Sequence, residues 1–187
     1  FLAVPRIWEK FYSGITIALK DATAFQNWMY RNALAIGNRV TEYKLQGDTP
    51  PLQLRLANQA AYWLVFRNIR RMLGLDRCRL AFTGAAPIAP EVLRDFLGMG
   101  VPLFELYGMT ENSAVATCNF PGANKVGTVG VPYPGTELRI DEATGEIQTR
   151  HPGVFKGYWN KPEKTAEAFS EDGWLRTGDV GEWVDAT

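Results

Sequence analysis

The order of apolar positions divides the chain into stretches with different periods. Ile7, Trp8, Phe11, Ile15 and Leu19 recur at three- and four-residue intervals, the spacing of one buried helical stripe, and Pro5 sits where a first-turn proline belongs. Phe25, Trp28, Met29 and Ile36 repeat the pattern and predict a second helix that ends at Gly37. After a loop over Gly47–Pro51, Leu52, Leu56, Ala60, Leu64 and Ile69 predict a third, closed by Gly74 as a C′ glycine. Trp8, Trp28 and Trp63 read as core at this spacing, and Arg67, Arg70 and Arg71 as a solvated helix face.

The period then changes. Arg79–Phe82 reads as a short strand, Thr83–Pro87 as a turn, Pro90–Leu97 as a helix stopped by Gly98 and Gly100, and Val101–Leu106 as a second strand. A strand–helix–strand unit predicts parallel strands and a right-handed crossover. The turns at Thr83–Pro87 and Tyr107–Glu111 would then both leave carboxyl ends of strands, the edge at which open α/β sheets bind ligands. Beyond Ala114–Thr117 come short strands punctuated by glycine and proline. Gly127–Pro132 predicts β structure around a tight turn, and Glu137–Ile140 with Glu146–Thr149 predicts a hairpin across Asp141–Gly145. Pro162–Phe169 predicts a short helix, and Arg176–Asp179 a glycine turn. The expected fold class is α/β: a partial parallel-sheet core over 1–120, then a smaller antiparallel β region over 121–187.

Composition narrows the function classes. With 46% hydrophobic residues in 187, the chain can bury an ordinary globular core. Lys+Arg and Asp+Glu both number 20, so no global field points to nucleic acid or to an anionic membrane, and small molecules are the expected partners. Cys78 and Cys118 with a single histidine, His151, argue against a zinc site, a disulfide scaffold and a histidine triad. His151 reads as a turn-flanking residue, with a general base as the alternative. The sparse cysteines make a cytoplasmic location the expectation, and no window approaches the length of a membrane span. The chain opens without methionine and stops at Asp185-Ala186-Thr187 with no closing element, and is expected to be a piece of a longer polypeptide.

The chemistry concentrates in Glu105–Asn112, ELYGMTEN. An aromatic face at Tyr107 can stack on a base, the Thr110 hydroxyl can donate to a phosphate oxygen, and the Glu111 carboxylate can hold Mg2+ directly or through water. Gly108 provides the turn. Gly84, Ala85 and Ala86 are small enough to let a flat base approach the backbone. Asp179 could accept both hydroxyls of a ribose, or could cap its own turn. Gly127–Pro132 lacks the spacing and the following helix of a dinucleotide fingerprint.

The runs FTGAAP (82–87), ELYGMTEN (105–112), GEIQTRHPGVFKGYWNKPEKT (145–165) and DGWLRTGD (172–179), in this order and spacing, resemble the acyl-adenylate-forming enzymes. With AVPRIWEKFYSGI (3–15), the resemblance is to the long-chain fatty-acid–CoA ligases. It implies that Gly84, Ala85 and Ala86 line the adenine pocket, that Glu105, Leu106 and Tyr107 contact or stack on adenine, that Gly108 belongs to the nucleotide-binding set, that Thr110 binds phosphate, and that Glu111 holds Mg2+. Asp179 would bind the ribose hydroxyls. The implied reaction takes ATP, a fatty acid and CoA to acyl-CoA through an acyl-adenylate, with Thr110 and Glu111 as the catalytic residues. Ligases for shorter or aromatic acids and a non-catalytic nucleotide-binding module are the alternatives. The resemblance further implies a phosphate loop upstream of Phe1, and a ribose-binding arginine and a lysine-bearing domain downstream of Thr187. The isolated chain is expected to bind ATP weakly without turnover. His151 falls where the family commonly has glycine. Oligomeric state is not legible, and a substrate so apolar is compatible with peripheral membrane contact, although no basic amphipathic anchor declares itself.

Overall fold

Proline fixes φ near the helical value and lacks the N–H that a first turn cannot use, so Pro5 opens α1 (Pro5–Lys20) directly after a two-residue strand, β1 (Leu2–Ala3). The computed structural model describes residues 1–184. A Thr23–Gln26 capping box starts α2 (Ala24–Leu45): the Gln26 N–H donates to Thr23 Oγ1 at 3.2 Å and the Thr23 N–H to Gln26 Oε1 at 2.9 Å. This helix runs through Gly37, where the pattern predicted its end. The glycine is there for contact, because a Cβ on Gly37 would lie 2.1 Å from the carbonyl oxygen of Gly98 in α5 (Pro90–Gly98), which packs against α2.

The predicted third helix is one rod in three parts, α3 (Leu52–Ala61), a π turn over Tyr62–Phe66, and α4 (Arg67–Met72), closed by Gly74 at φ +72° as expected. Of the three tryptophans expected in the core, only Trp8 is buried, meeting Phe96 edge-on at 5.2 Å. Trp28 and Trp63 are 60% and 56% exposed. Helical spacing repeats on every face, and the inward stripe of the rod belongs instead to Ala61, Val65, Phe66 and Ile69. Arg70 also departs from the solvated face predicted for it, because its guanidinium donates to the carbonyls of Gly100 and Leu75 at 2.9 and 3.2 Å.

The strand–helix–strand unit forms with small shifts in bounds. Strand β2 (Ala81–Thr83) pairs in parallel with β1 on one side and with the first three residues of β3 (Leu103–Tyr107) on the other. Helix α5 joins them, and its Asp95 accepts from Tyr12 of α1 at 3.1 Å and from Asn38 of α2 at 2.9 Å. Full burial of Leu93, Phe96, Met99 and Leu103 contributes about 1.5–3 kcal/mol for each side chain.

Two compact units result, 1–105 with 120–127, and 106–119 with 128 onward. In the second, the last residues of β3 pair antiparallel with β4 (Thr117–Cys118), and β4 with β5 (Val131–Pro132). A separate antiparallel sheet has the order β6 (Glu137–Ile140), β7 (Glu146–Arg150) and β8 (Leu175–Val180), with α6 (Pro162–Glu167) between β7 and β8 in sequence. The expected hairpin is β6–β7, its turn tied by Asp141 Oδ1, which accepts from the N–H groups of Ala143 and Thr144. Residues 185–187, the end of the region expected to be β-rich, lie outside the described residues.

Gly37→Ala should lower the stability of the protein by about 1–3 kcal/mol, because backbone cannot move out of the way as a side chain can. Gly14→Ala at an exposed position of α1, where a Cβ meets nothing within 4 Å, should be neutral or stabilising by about 0.5–1 kcal/mol. Thermal unfolding of the two variants measures the contrast, and equal midpoints would remove the close approach as the reason for Gly37.

Candidate functional site

The loop after β3 is built around a buried amide. Asn112 is fully buried, and its Oδ1 accepts from the Met109 N–H at 2.8 Å while its own N–H donates to the Met109 carbonyl at 3.1 Å. That pair closes a single 3-10 turn, Thr110–Asn112, and with Asn112 inward Thr110 is left exposed and Glu111 partly so. The chain returns through Ser113 and Ala114, both left-handed at φ +57° and +68°, to a bond from the Ala116 N–H to the Tyr107 carbonyl at 2.8 Å. Backbone strain of this kind costs on the order of 1–3 kcal/mol per residue and collects at working sites. Gly108 is required by contact, since a Cβ there would stand 2.3 Å from the main chain of Ala114.

Tyr107 and Asp179 are brought together. The Tyr107 hydroxyl donates to Asp179 Oδ2 at 2.7 Å, and burial, aided by the Asp179 charge, pushes the phenol up to about 12. The expected glycine turn at Asp179 is absent; the aspartate lies in β8, opposite an irregularity in register between Glu146 and Gln148. Leu175 and Thr177 are buried and Arg176 is exposed, a strand alternation that the turn-like Thr-Gly-Asp sequence disguises. Gly178 takes φ +75° within the strand, and its N–H donates to Glu146 Oε1 at 2.9 Å. Asp179 is exposed, so the carboxylate is anchored by one phenol and open to solvent.

In the first unit, β2 ends in Thr83 and the turn continues through buried Gly84 to exposed Ala85 and Ala86. Ala85 is left-handed at φ +67°, a strained alanine at the carboxyl end of a parallel strand. Glu105 is buried, and its carboxylate accepts from the main-chain N–H groups of Ile88 and Gly127; burial nevertheless raises it above the ordinary carboxylate range. Leu106 is half-buried in β3.

Two residues with evident roles carried no assignment from the sequence. Asn112 closes the quoted motif, yet its amide gives no signal until the loop is seen to fold on it. The Tyr158 hydroxyl donates to Glu111 Oε1 at 2.8 Å, the Phe155 N–H to the Glu111 carbonyl at 2.7 Å, and the two rings meet edge-on at 4.9 Å. Both lie in the quoted 145–165 run, so the motif was visible and the contact was not. Their effect is to hold the main-chain carbonyl of Glu111 and one of its two carboxylate oxygens. A single oriented carboxylate beside a threonine hydroxyl fits Mg2+, which takes one or two carboxylates and fills its remaining positions with phosphate oxygens and water. Among the described residues no cluster of three or more His, Cys, Asp or Glu could hold a metal ion without substrate.

A family model described as "AMP-binding enzyme" matches residues 1–159. The chain belongs to the AMP-binding enzyme family. Among curated relatives it is 42% identical over 182 residues to the putative fatty-acid–CoA ligase fadD11 of Mycobacterium tuberculosis, a match covering 95% of this chain and 31% of that protein. It is 37% identical over 186 residues to the long-chain-fatty-acid–CoA ligase ACSBG2 of Xenopus laevis, covering 97% of this chain and 25% of that one. The chain therefore spans between a quarter and a third of the length of these AMP-binding relatives. Among solved structures, ATP-bound MatB from Rhodopseudomonas palustris matches with a TM-score of 0.52 and 33% identity over 64% of this chain and 26% of that chain. The anthranilate CoA ligase AuaEII in complex with anthranoyl-AMP matches with a TM-score of 0.52 and 26% identity over 56% of this chain and 22% of that chain. The α/β architecture expected from the sequence is thus shared with solved enzymes of this kind.

Because the folded Tyr107 phenol keeps its proton to about 12 while an unfolded tyrosine loses it near 10, the stability this group contributes is complete below about pH 10 and is lost as pH rises towards 12. Tyr107→Phe should lack that loss. Urea unfolding at about pH 9 and about pH 11 should show wild type declining more than the variant by about 1 kcal/mol. Parallel declines would contradict the assignment.

Proposed function

We propose that this chain is part of a long-chain fatty-acid–CoA ligase, which activates a fatty acid with ATP to acyl-AMP and passes the acyl group to CoA. The observation that carries this reading is the loop at 107–116, which turns Thr110 and Glu111 outward on a fixed frame and orients the Glu111 carboxylate through Tyr158. In the first step the fatty-acid carboxylate attacks the α-phosphorus of ATP and pyrophosphate leaves; in the second the CoA thiol displaces AMP. Neither step needs a protein nucleophile, so the residues act by positioning and by meeting charge. Thr110 donates its hydroxyl to a phosphate oxygen. Asp179 accepts from the ribose hydroxyls with the oxygen that Tyr107 leaves free, and the Tyr107 ring presents a face to adenine. Gly84, Ala85 and Ala86 give adenine close access to backbone, and Glu105, with its carboxylate bound to Ile88 and Gly127, holds their turn in shape. Mg2+ held at Glu111 would supply charge neutralisation at the phosphates.

The fatty-acid ligase relatives favour a long-chain acid, whereas likeness to an anthranilate–CoA ligase structure supports a second reading in which the acid is aromatic. The long chain is preferred because the relatives that match nearly all of this chain are fatty-acid ligases. No helix among the described residues is long and apolar enough to cross a membrane.

Glu111→Gln in the full-length protein keeps shape and removes charge. It should lower magnesium-dependent ATP–pyrophosphate exchange by about 100-fold or more while leaving thermal unfolding nearly unchanged. Near wild-type exchange would remove Glu111 as the metal ligand. Run over a series of acids, the same assay should favour long chains, and preference for aryl or short acids would overturn that choice.

A further inference from the structure

Within the second unit, the phenol that holds Glu111 is itself held from further along the chain. Both main-chain polar groups of Tyr158 are engaged: its N–H donates to Thr165 Oγ1 at 2.9 Å, and its carbonyl accepts from the Lys161 N–H at 3.2 Å. Thr165 sits in α6, where its hydroxyl donates in turn to the Lys161 carbonyl at 2.9 Å. Its methyl group lies over Gly157, since a Cβ there would stand 2.5 Å from Thr165 Cγ2. The Tyr158 ring meets Phe155 edge-on, and Phe155 stacks on Phe169 at 5.7 Å. Thr165 thus fixes the backbone of Tyr158, an aromatic row fixes its ring, and the hydroxyl arrives 2.8 Å from Glu111 Oε1.

The donor on Oε1 limits what Glu111 can do. An oxygen that already accepts from a phenol is a poor second grip for a cation, so the carboxylate offers a metal its other oxygen. Among the described residues no hydrogen bond or ion pair takes that one. Cations differ in their use of the pair. Ca2+ accepts a carboxylate through one or both oxygens in a loose and variable shell, whereas Mg2+ is smaller and demands a near-ideal octahedron. The four-membered ring closed by a carboxylate gripping through both oxygens is too narrow for that octahedron. Blocking Oε1 therefore leaves Mg2+ unaffected and removes a grip that Ca2+ would use.

We propose that Thr165 is a positioning residue that acts through Tyr158: by setting the phenol on Glu111 Oε1 it leaves the carboxylate one free oxygen, so that the site prefers Mg2+ to Ca2+. This inference rests on the reading of Glu111 as the metal ligand of the nucleotide site. A merely structural Thr165, closing the turn before α6 and packing on Gly157, would leave the choice of cation untouched.

The test is the affinity of the full-length protein for ATP with Mg2+ or with Ca2+ as the sole divalent cation, measured by calorimetry without acid or CoA. Wild type should bind ATP more tightly with Mg2+. Tyr158→Phe should lower the ratio of the two affinities by about tenfold, the worth of a hydrogen bond to a charged group, and Thr165→Val by roughly fivefold. Valine keeps the methyl over Gly157 and removes the hydroxyl. Thr165→Ser does the reverse, and should retain the wild-type ratio. Thermal midpoints close to wild type establish that the variants are folded. An unchanged ratio in Tyr158→Phe or Thr165→Val overturns the proposal, as does a wild type indifferent to the two cations. So does a loss in Thr165→Ser equal to that in Thr165→Val, which would assign the effect to the methyl group. Magnesium-dependent ATP–pyrophosphate exchange by the wild type, followed in parallel, tests the ligase reading by itself: its absence beside the expected ratios would strike that reading and support this one.

Discussion

A single amide holds the loop on which the candidate chemistry depends. Asn112 has no access to solvent, and its side-chain oxygen ties the Met109 N–H into a turn of only three residues. Once that amide is inside, Thr110 and Glu111 have to face out. The left-handed backbone at Ser113 and Ala114 and the bare Cα of Gly108 follow from closing so short a return onto β3. Local strain is tolerated because the ladder to β4 and the Ala116–Tyr107 bond fix both ends of the loop.

Within the second unit the partners of that loop come from far along the sequence. Tyr158 reaches Glu111 across 47 residues and Asp179 reaches Tyr107 across 72. In each contact a phenol donates to a carboxylate, which orients the acid without cancelling its charge. A lysine in either place would pair the charge and remove the carboxylate from use.

Much of the fold was legible because its signals are local. Proline at the first turn of α1, α5 and α6, the Gly74 stop, and the hairpin around Asp141 each depend on a few neighbouring residues. What was not legible depends on which face meets what. Gly37 looks like a stop when read along one helix, and becomes a contact only when Gly98 is opposite. Trp28 and Trp63 share the period of Trp8 yet lie on exposed faces, so period alone could not place them. The motifs marked Tyr107, Glu111 and Asp179 as chemistry. The pairing of Tyr107 with Asp179, and the task of Tyr158, required the folded chain.

We propose that Asp179, anchored by Tyr107, binds the ribose hydroxyls of ATP. Nucleotide affinity of the full-length protein for ATP and for its 2′,3′-dideoxy analogue, in wild type and in Asp179→Ala, tests it most directly. Wild type should prefer ATP by about 1.5–3 kcal/mol, the worth of hydrogen bonds to a charged group, and the variant should lose that preference. A preference for ATP that persists undiminished in Asp179→Ala would contradict the account.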